Sequence, residues 1–197
     1  MDLLPVVVGT GWTSGLSAYG TALVLGLLGR SGLDQVPDVL TRGEILIPAG
    51  LMFALEFVVD KIPYLDNMWD AVHTVIRPVL AGMMGLAFAG DADAVGEALA
   101  ATGTGTIALM SHAVKAGLRL AVNASPEPFS TIAVSSVEDM AMAGVSYLVA
   151  THPWIAFAIA AALLTGGILL VVAIRRRIRR FLQGRRSRGT HHLFGSR

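Results

Sequence analysis

Between residues 56 and 78 the chain sets Glu56, Asp60, Asp66, Asp70, His73 and Arg77 into an otherwise largely apolar stretch. Glu56 and Asp60 are four residues apart. Asp66, Asp70, His73 and Arg77 follow at intervals of four, three and four, so each set falls on one helix face. Carboxylates with an imidazole make an oxygen-rich site of borderline hardness, suited to Mn²⁺, Mg²⁺ or Zn²⁺. Glu56, Asp60, Asp70 and His73 are the expected ligands of such an ion. Together with Asp66 they also suit proton transfer, because clustered carboxylates share protons and imidazole titrates near neutrality. Lys61 and Arg77 are the charge partners. The plainer alternative is an internal ion-pair network along a helix interface. No Ser or Cys nucleophile accompanies the set, so no catalytic residue is assigned and an enzyme is the lesser expectation.

A second polar set lies further on. His112, Lys115 and Arg119 are spaced by three and four with Ser111 adjacent, and Glu138 and Asp139 follow in the next apolar segment. Pairing of these acids with Lys115 or Arg119 is the economical reading. A seat for a lipid phosphate is the functional one.

Charged groups of this kind need apolar helices to hold them, and the composition supplies these. Of 197 residues 54% are hydrophobic and 15% charged, with mean hydropathy +0.64. Soluble domains carry roughly 25% charged residues. Apolar segments near 3–28, 44–62, 66–90, 94–122, 130–151 and 153–176 are each long enough to approach a crossing, which takes about 20 residues. The expectation is an all-α polytopic membrane protein of about six helices, or five crossings if the polar first half of 66–90 stays interfacial. Residues 1–176 form the membrane domain, with halves 3–90 and 94–176, and 177–197 form an arginine-rich, partly disordered tail. Residues 1–174 hold six Lys/Arg against fourteen Asp/Glu, after which eight arginines follow between Arg175 and Arg188. Basic residues beside a span favour the cytoplasmic side and attract anionic head groups. This predicts both termini in the cytoplasm of a cell with a bacterial inner membrane, and membrane lipids rather than nucleic acid as partners. Arg30 and Arg42 then fall on the outer side, against the rule. Cysteine is absent, which excludes thiol chemistry.

Gly9-Thr10-Gly11 and Gly103-Thr104-Gly105 match in register with Ser17 and Ser111, and Gly15 extends the first run. Three segments per half would make the second copy an inverted repeat. Glycine-interrupted helices at corresponding positions of such repeats expose backbone that binds solute. Gly9, Gly11, Gly15, Gly103 and Gly105 are therefore the expected opened-helix positions.

Three stretches carry a family resemblance: Gly11-Trp12-Thr13-Ser14-Gly15-Leu16-Ser17-Ala18-Tyr19, Glu56-Phe57-Val58-Val59-Asp60-Lys61-Ile62-Pro63, and Trp69-Asp70-Ala71-Val72-His73-Thr74 with Arg77-Pro78. They resemble the bacterial multi-pass membrane family catalogued as domain of unknown function 4126. The resemblance implies membrane placement and a characteristic core containing Glu56, Asp60, Lys61, Asp70 and His73, with no established activity. The functional expectation is a transporter or channel for a small charged solute, a divalent cation with proton coupling, which two copies pair to enclose. The alternatives are a lipid- or polyprenyl-phosphate-binding or flipping protein, and a non-catalytic membrane scaffold.

Overall fold

The computed structural model describes residues 2–122 and 128–191. They form helices α1 (Leu3–Leu16), α2 (Ala18–Arg30), α3 (Asp38–Thr41), α4 (Gly43–Val59), α5 (Leu65–Ala89), α6 (Ala94–Val122), α7 (Pro128–Thr151) and α8 (Pro153–His191), with no strand among the described residues. Leu65–Ala89, Phe129–Thr151 and Pro153–Arg177 are long and apolar enough to cross a membrane. The burial pattern is inverted relative to a water-soluble bundle. Leu51, Met68, Val75, Met83 and Leu169 are exposed, whereas Glu56, Asp66, Asp70, Arg77, Lys115 and Arg119 are buried. Apolar side chains face outward where the solvent is hydrocarbon, and ionisable groups turn inward to one another.

The expected first segment is two helices. The chain breaks at Ser17, whose backbone is extended at φ −154° and ψ 109°. Ser17 then caps α2, its Oγ accepting from the Gly20 amide at 3.0 Å. Gly20 of α2 lies against Phe53 and Met142, while Gly26 lies against Leu40 and Leu46. Thus α2 runs antiparallel to α4. Along α1, Gly11 approaches Thr104 and Ile107, and Gly15 approaches Ala108 and Ser111, so α1 runs parallel to α6. The result is a helical hairpin that enters the bundle, turns at Ser17 and returns to its starting side. Of the 14 residues in α1, 11 are buried, and the helix packs against α5, α6, α7 and α8. It is the centre of the molecule.

The parallel course of α1 and α6 departs from the expected inversion, which requires the matched helices to run oppositely. Neither glycine run opens its helix. The α6 backbone continues through Gly103 and Gly105, and α1 continues through Gly9, Gly11 and Gly15. These glycines instead permit close approach: a Cβ on Gly105 would meet the Pro78 carbonyl at 2.9 Å, and one on Gly11 the Thr104 carbonyl at 2.8 Å. Small residues bring helix backbones together in membranes in this way.

The termini also differ from expectation. Trp154 Nε1, at the start of α8, donates to Asp2 Oδ2 at 3.0 Å. Asp2 therefore lies at the opposite end of the bundle from Arg175–Arg180, which follow some 20 residues of helix later. The α8 helix runs unbroken from its apolar span into the basic segment as far as His191. Residues 192–197 of the expected disordered tail lie outside the described residues.

Candidate functional site

The two polar sets meet. α4 and α5 are joined by a short turn in which Tyr64 has φ 69°, and Glu56, Asp60, Asp66 and Asp70 converge near it. α6 runs antiparallel to α5, with Gly85 against Ala100 and Thr104. This brings His112, Lys115 and Arg119 to the same end of the bundle. The α1–α2 turn enters between them.

Arg77 sits at the centre, fully buried. It pairs with Glu56 Oε1 and, at 3.1 Å, with Asp70 Oδ1. Lys115 Nζ donates to Asp60 Oδ2 at 2.9 Å, and Arg119 reaches the same oxygen at 2.8 Å and also pairs with Glu138. Asp66 accepts from the Asn67 amide at 2.7 Å, where an acid suits the N-terminus of α5, and lies 3.9 Å from Arg119. Lys61 turns away from its neighbour Asp60. It pairs with Asp139 at 3.1 Å and lies 3.2 Å from the centre of the Phe57 ring. One residue along a helix is a rotation of about 100°, which carries Lys61 to α7. Lys61, Glu138 and Asp139 are partly exposed and form the rim, while Arg77, Glu56 and Asp70 are dry.

The hairpin tip is part of the network. The last carbonyls of a helix have no partner within it and carry the negative end of its dipole. Here the Leu16 carbonyl accepts from Lys115 at 2.7 Å and the Gly15 carbonyl from Arg77 at 3.4 Å, and one turn further back, inside the helix, the Trp12 carbonyl also accepts from Ser111 at 2.8 Å. Ser17 Oγ in turn donates to Glu56 Oε2 at 2.6 Å. Ser17 was not among the sequence candidates. Its signal is a Ser-Ala-Tyr-Gly capping pattern inside an apolar run. Ser17→Ala is expected to lower stability by about 2–4 kcal/mol, by losing the cap and leaving a buried carboxylate oxygen unpaired. Chemical denaturation of purified protein measures this, and a change under 1 kcal/mol would discount the role given to the tip.

Both histidines are fixed by their partners. His73 Nδ1 faces the Trp69 carbonyl at 2.8 Å, which only accepts, so that nitrogen carries hydrogen. In the neutral ring Nε2 then accepts from Tyr19 Oη at 3.2 Å. Trp69 stacks on the same ring at 4.3 Å. His112 Nδ1 accepts from Arg77, which leaves Nε2–H for the Asp70 carbonyl at 3.0 Å.

The expected metal ligands do not gather. Glu56 and Asp70 are bridged by Arg77, Asp60 belongs to Lys115 and Arg119, and His73 belongs to Tyr19 and Trp69. No group of three or more Asp, Glu or His among the described residues is placed to hold a metal ion. The set as arranged does not fit Mn²⁺, Mg²⁺ or Zn²⁺. Some capacity is unused: Asp60 Oδ1 and Asp70 Oδ2 are buried without a hydrogen-bond partner.

The family model described as Domain of unknown function (DUF4126) matches residues 4–173. The chain belongs to this family. The match spans the hairpin, the whole charge network and α8 up to its arginines. No curated protein and no solved structure matches the chain. For a DUF4126 chain, activity has to be argued from the site itself.

Proposed function

We propose that the protein is a multi-pass membrane protein that carries protons through the network at the hairpin tip, coupled to the passage of a small charged solute. One observation supports this reading above the others. The ion pairs among the described residues join six carboxylates (Glu56, Asp60, Asp66, Asp70, Glu138 and Asp139) to four cations (Lys61, Arg77, Lys115 and Arg119). His112 is hydrogen-bonded as a neutral ring, and His73 is taken as neutral, with Nε2 accepting from Tyr19. Asp66 aside, which has a further contact, five of these carboxylates face the four cations. With neutral rings, one negative charge is therefore left over in a setting where uncompensated charge is expensive. A proton is the smallest remedy, and the unpartnered Asp60 Oδ1 and Asp70 Oδ2 are places to put it. The partly exposed rim at Glu138 and Asp139 gives such protons an entrance at the arginine end.

In this reading α4 to α8 make five crossings of a bacterial inner membrane. The α1–α2 hairpin is re-entrant from the outer side, and the arginines lie in the cytoplasm. A broken helix at membrane depth is tolerated where protein surrounds it, and α1 is surrounded. The second reading is a scaffold in which the network only locks the helices. It draws support from the short contacts, since each of the four cations has a carboxylate oxygen within 3.1 Å.

Proteoliposomes loaded with a pH-sensitive dye separate the two. Under an imposed pH gradient, wild-type protein is expected to acidify the lumen faster than protein-free vesicles. Asp60→Asn and Asp70→Asn are expected to fall to the vesicle background while keeping their elution volume. Wild-type flux equal to the background favours the scaffold.

A further inference from the structure

A cleft of about 250 Å³ opens between the outer halves of α4 and α5, with α2 as its floor. α5 packs closely along α6 but barely touches α4. The cleft wall is apolar, with Ala22, Pro48, Met52, Leu80 and Ala87 among its residues. Val39, Ile45 and Met83 line it and are also exposed on the outer surface of the bundle. The cleft therefore opens sideways, where hydrocarbon chains lie.

Its outer end is charged. Glu44 lines the cleft and is exposed. Arg42 is exposed two residues before it. The guanidinium of Arg30 lies 3.8 Å from where Gly43 would carry a Cβ, and its Nε donates to the Thr41 carbonyl at 2.7 Å. None of the ion pairs among the described residues engages Arg30, Arg42 or Glu44. These two arginines are the ones that break the positive-inside pattern, and the proton network gives them no role. Asp34 and Asp38 are exposed nearby, so the end as a whole is more negative than positive. A net anionic head group is disfavoured there, whereas a zwitterion finds both signs.

We infer that the α2–α4–α5 cleft is a binding site for an outer-leaflet zwitterionic phospholipid bearing a primary ammonium, phosphatidylethanolamine. One acyl chain fills the cleft, Arg30 and Arg42 take the phosphate, and Glu44 takes the ammonium. Methionines such as Met52 and Met83 adapt to a flexible chain. An apolar cavity with a few placed polar groups is the usual form of a small-molecule site. The lipid site rests on the membrane embedding and sidedness proposed above, but not on the proton path.

Native mass spectrometry of the full chain, released from nanodiscs holding phosphatidylethanolamine and phosphatidylglycerol of matched chains, tests it. Wild type is expected to retain one phosphatidylethanolamine in preference to phosphatidylglycerol. Ala87→Phe, which fills the cleft, is expected to lose it. Arg42→Gln with Glu44→Gln changes only exposed residues and is expected to weaken retention about a hundredfold, the effect of two charge-assisted contacts at about tenfold each. Leu163→Phe, on the exposed face of α8, is expected to leave retention unchanged. Equal retention of the two lipids, or unchanged retention in the double glutamine variant, overturns the inference. Proton flux is read separately, so either outcome leaves that question intact.

Discussion

Arg77→Met is expected to destabilise the protein by about 3–5 kcal/mol, the cost of removing one partner from a buried ion pair. Methionine fills much of the volume, so the loss is electrostatic rather than a cavity. Glu56 and Asp70 would be left facing each other, the Gly15 carbonyl would lose a donor, and His112 Nδ1 would lose the contact that sets its tautomer. Denaturant unfolding in mild detergent measures the change. Adding Glu56→Gln and Asp70→Asn removes the stranded charges and is expected to restore more than half of the loss. Single and triple variants of equal stability would show that the charges do not act as a unit.

The second large effect is steric. A Cβ on Gly15 would stand 2.5 Å from the Ala108 carbonyl and 2.8 Å from the His112 amide. Both are backbone atoms of α6 and cannot rotate away. Gly15→Ala therefore has to push α1 off α6, pulling the Gly15 and Leu16 carbonyls from Arg77 and Lys115. Overpacking alone costs about 1–3 kcal/mol, and the broken contacts add to it. Folded yield after purification is expected to drop sharply. Gly166→Ala provides the contrast. Nothing lies within 4 Å of a Cβ there, and alanine in a helix interior is expected to gain about 0.5–1 kcal/mol. Similar effects at the two glycines would refute the packing account.

Much of the fold is legible in the chain, and the gaps have physical causes. Apolar length located α4, α5, α6, α7 and the spanning part of α8, because lipid demands long uncharged runs. It merged α1 with α2, since hydropathy registers the solvent around a segment and not its direction. The break falls at Ser17, two residues past the glycine run, and both flanking helices are apolar. The glycines drew attention to the right region for a different reason: they mark close packing rather than opened backbone. Within the site, spacing assigned residues to helix faces correctly. Asp70 and Arg77, seven residues apart on α5, do share a face and pair with each other. Spacing could not say which helix lay opposite, so the acidic and basic sets read as two sites where the structure has one. Arg119 with Glu138 was foreseeable as a pair. Lys61 with Asp139 was not, because Lys61 belongs by sequence to the acidic set and by helical rotation to α7.

The hairpin has a consequence for how the molecule is assembled. Most of the surface that covers α1 is supplied by α5 to α8, and its tip is neutralised by Arg77, Lys115 and Glu56. All of these are synthesised after it. Until α5 and α6 arrive, the Gly15 and Leu16 carbonyls at the end of α1 have no cation to receive them, and a half-length helix cannot span a bilayer alone. The segment made early thus completes its contacts only when the later helices have formed its socket. Order of synthesis and order of burial therefore differ in this chain: α1 is made first, and the surface that covers it is complete only once α8 is present.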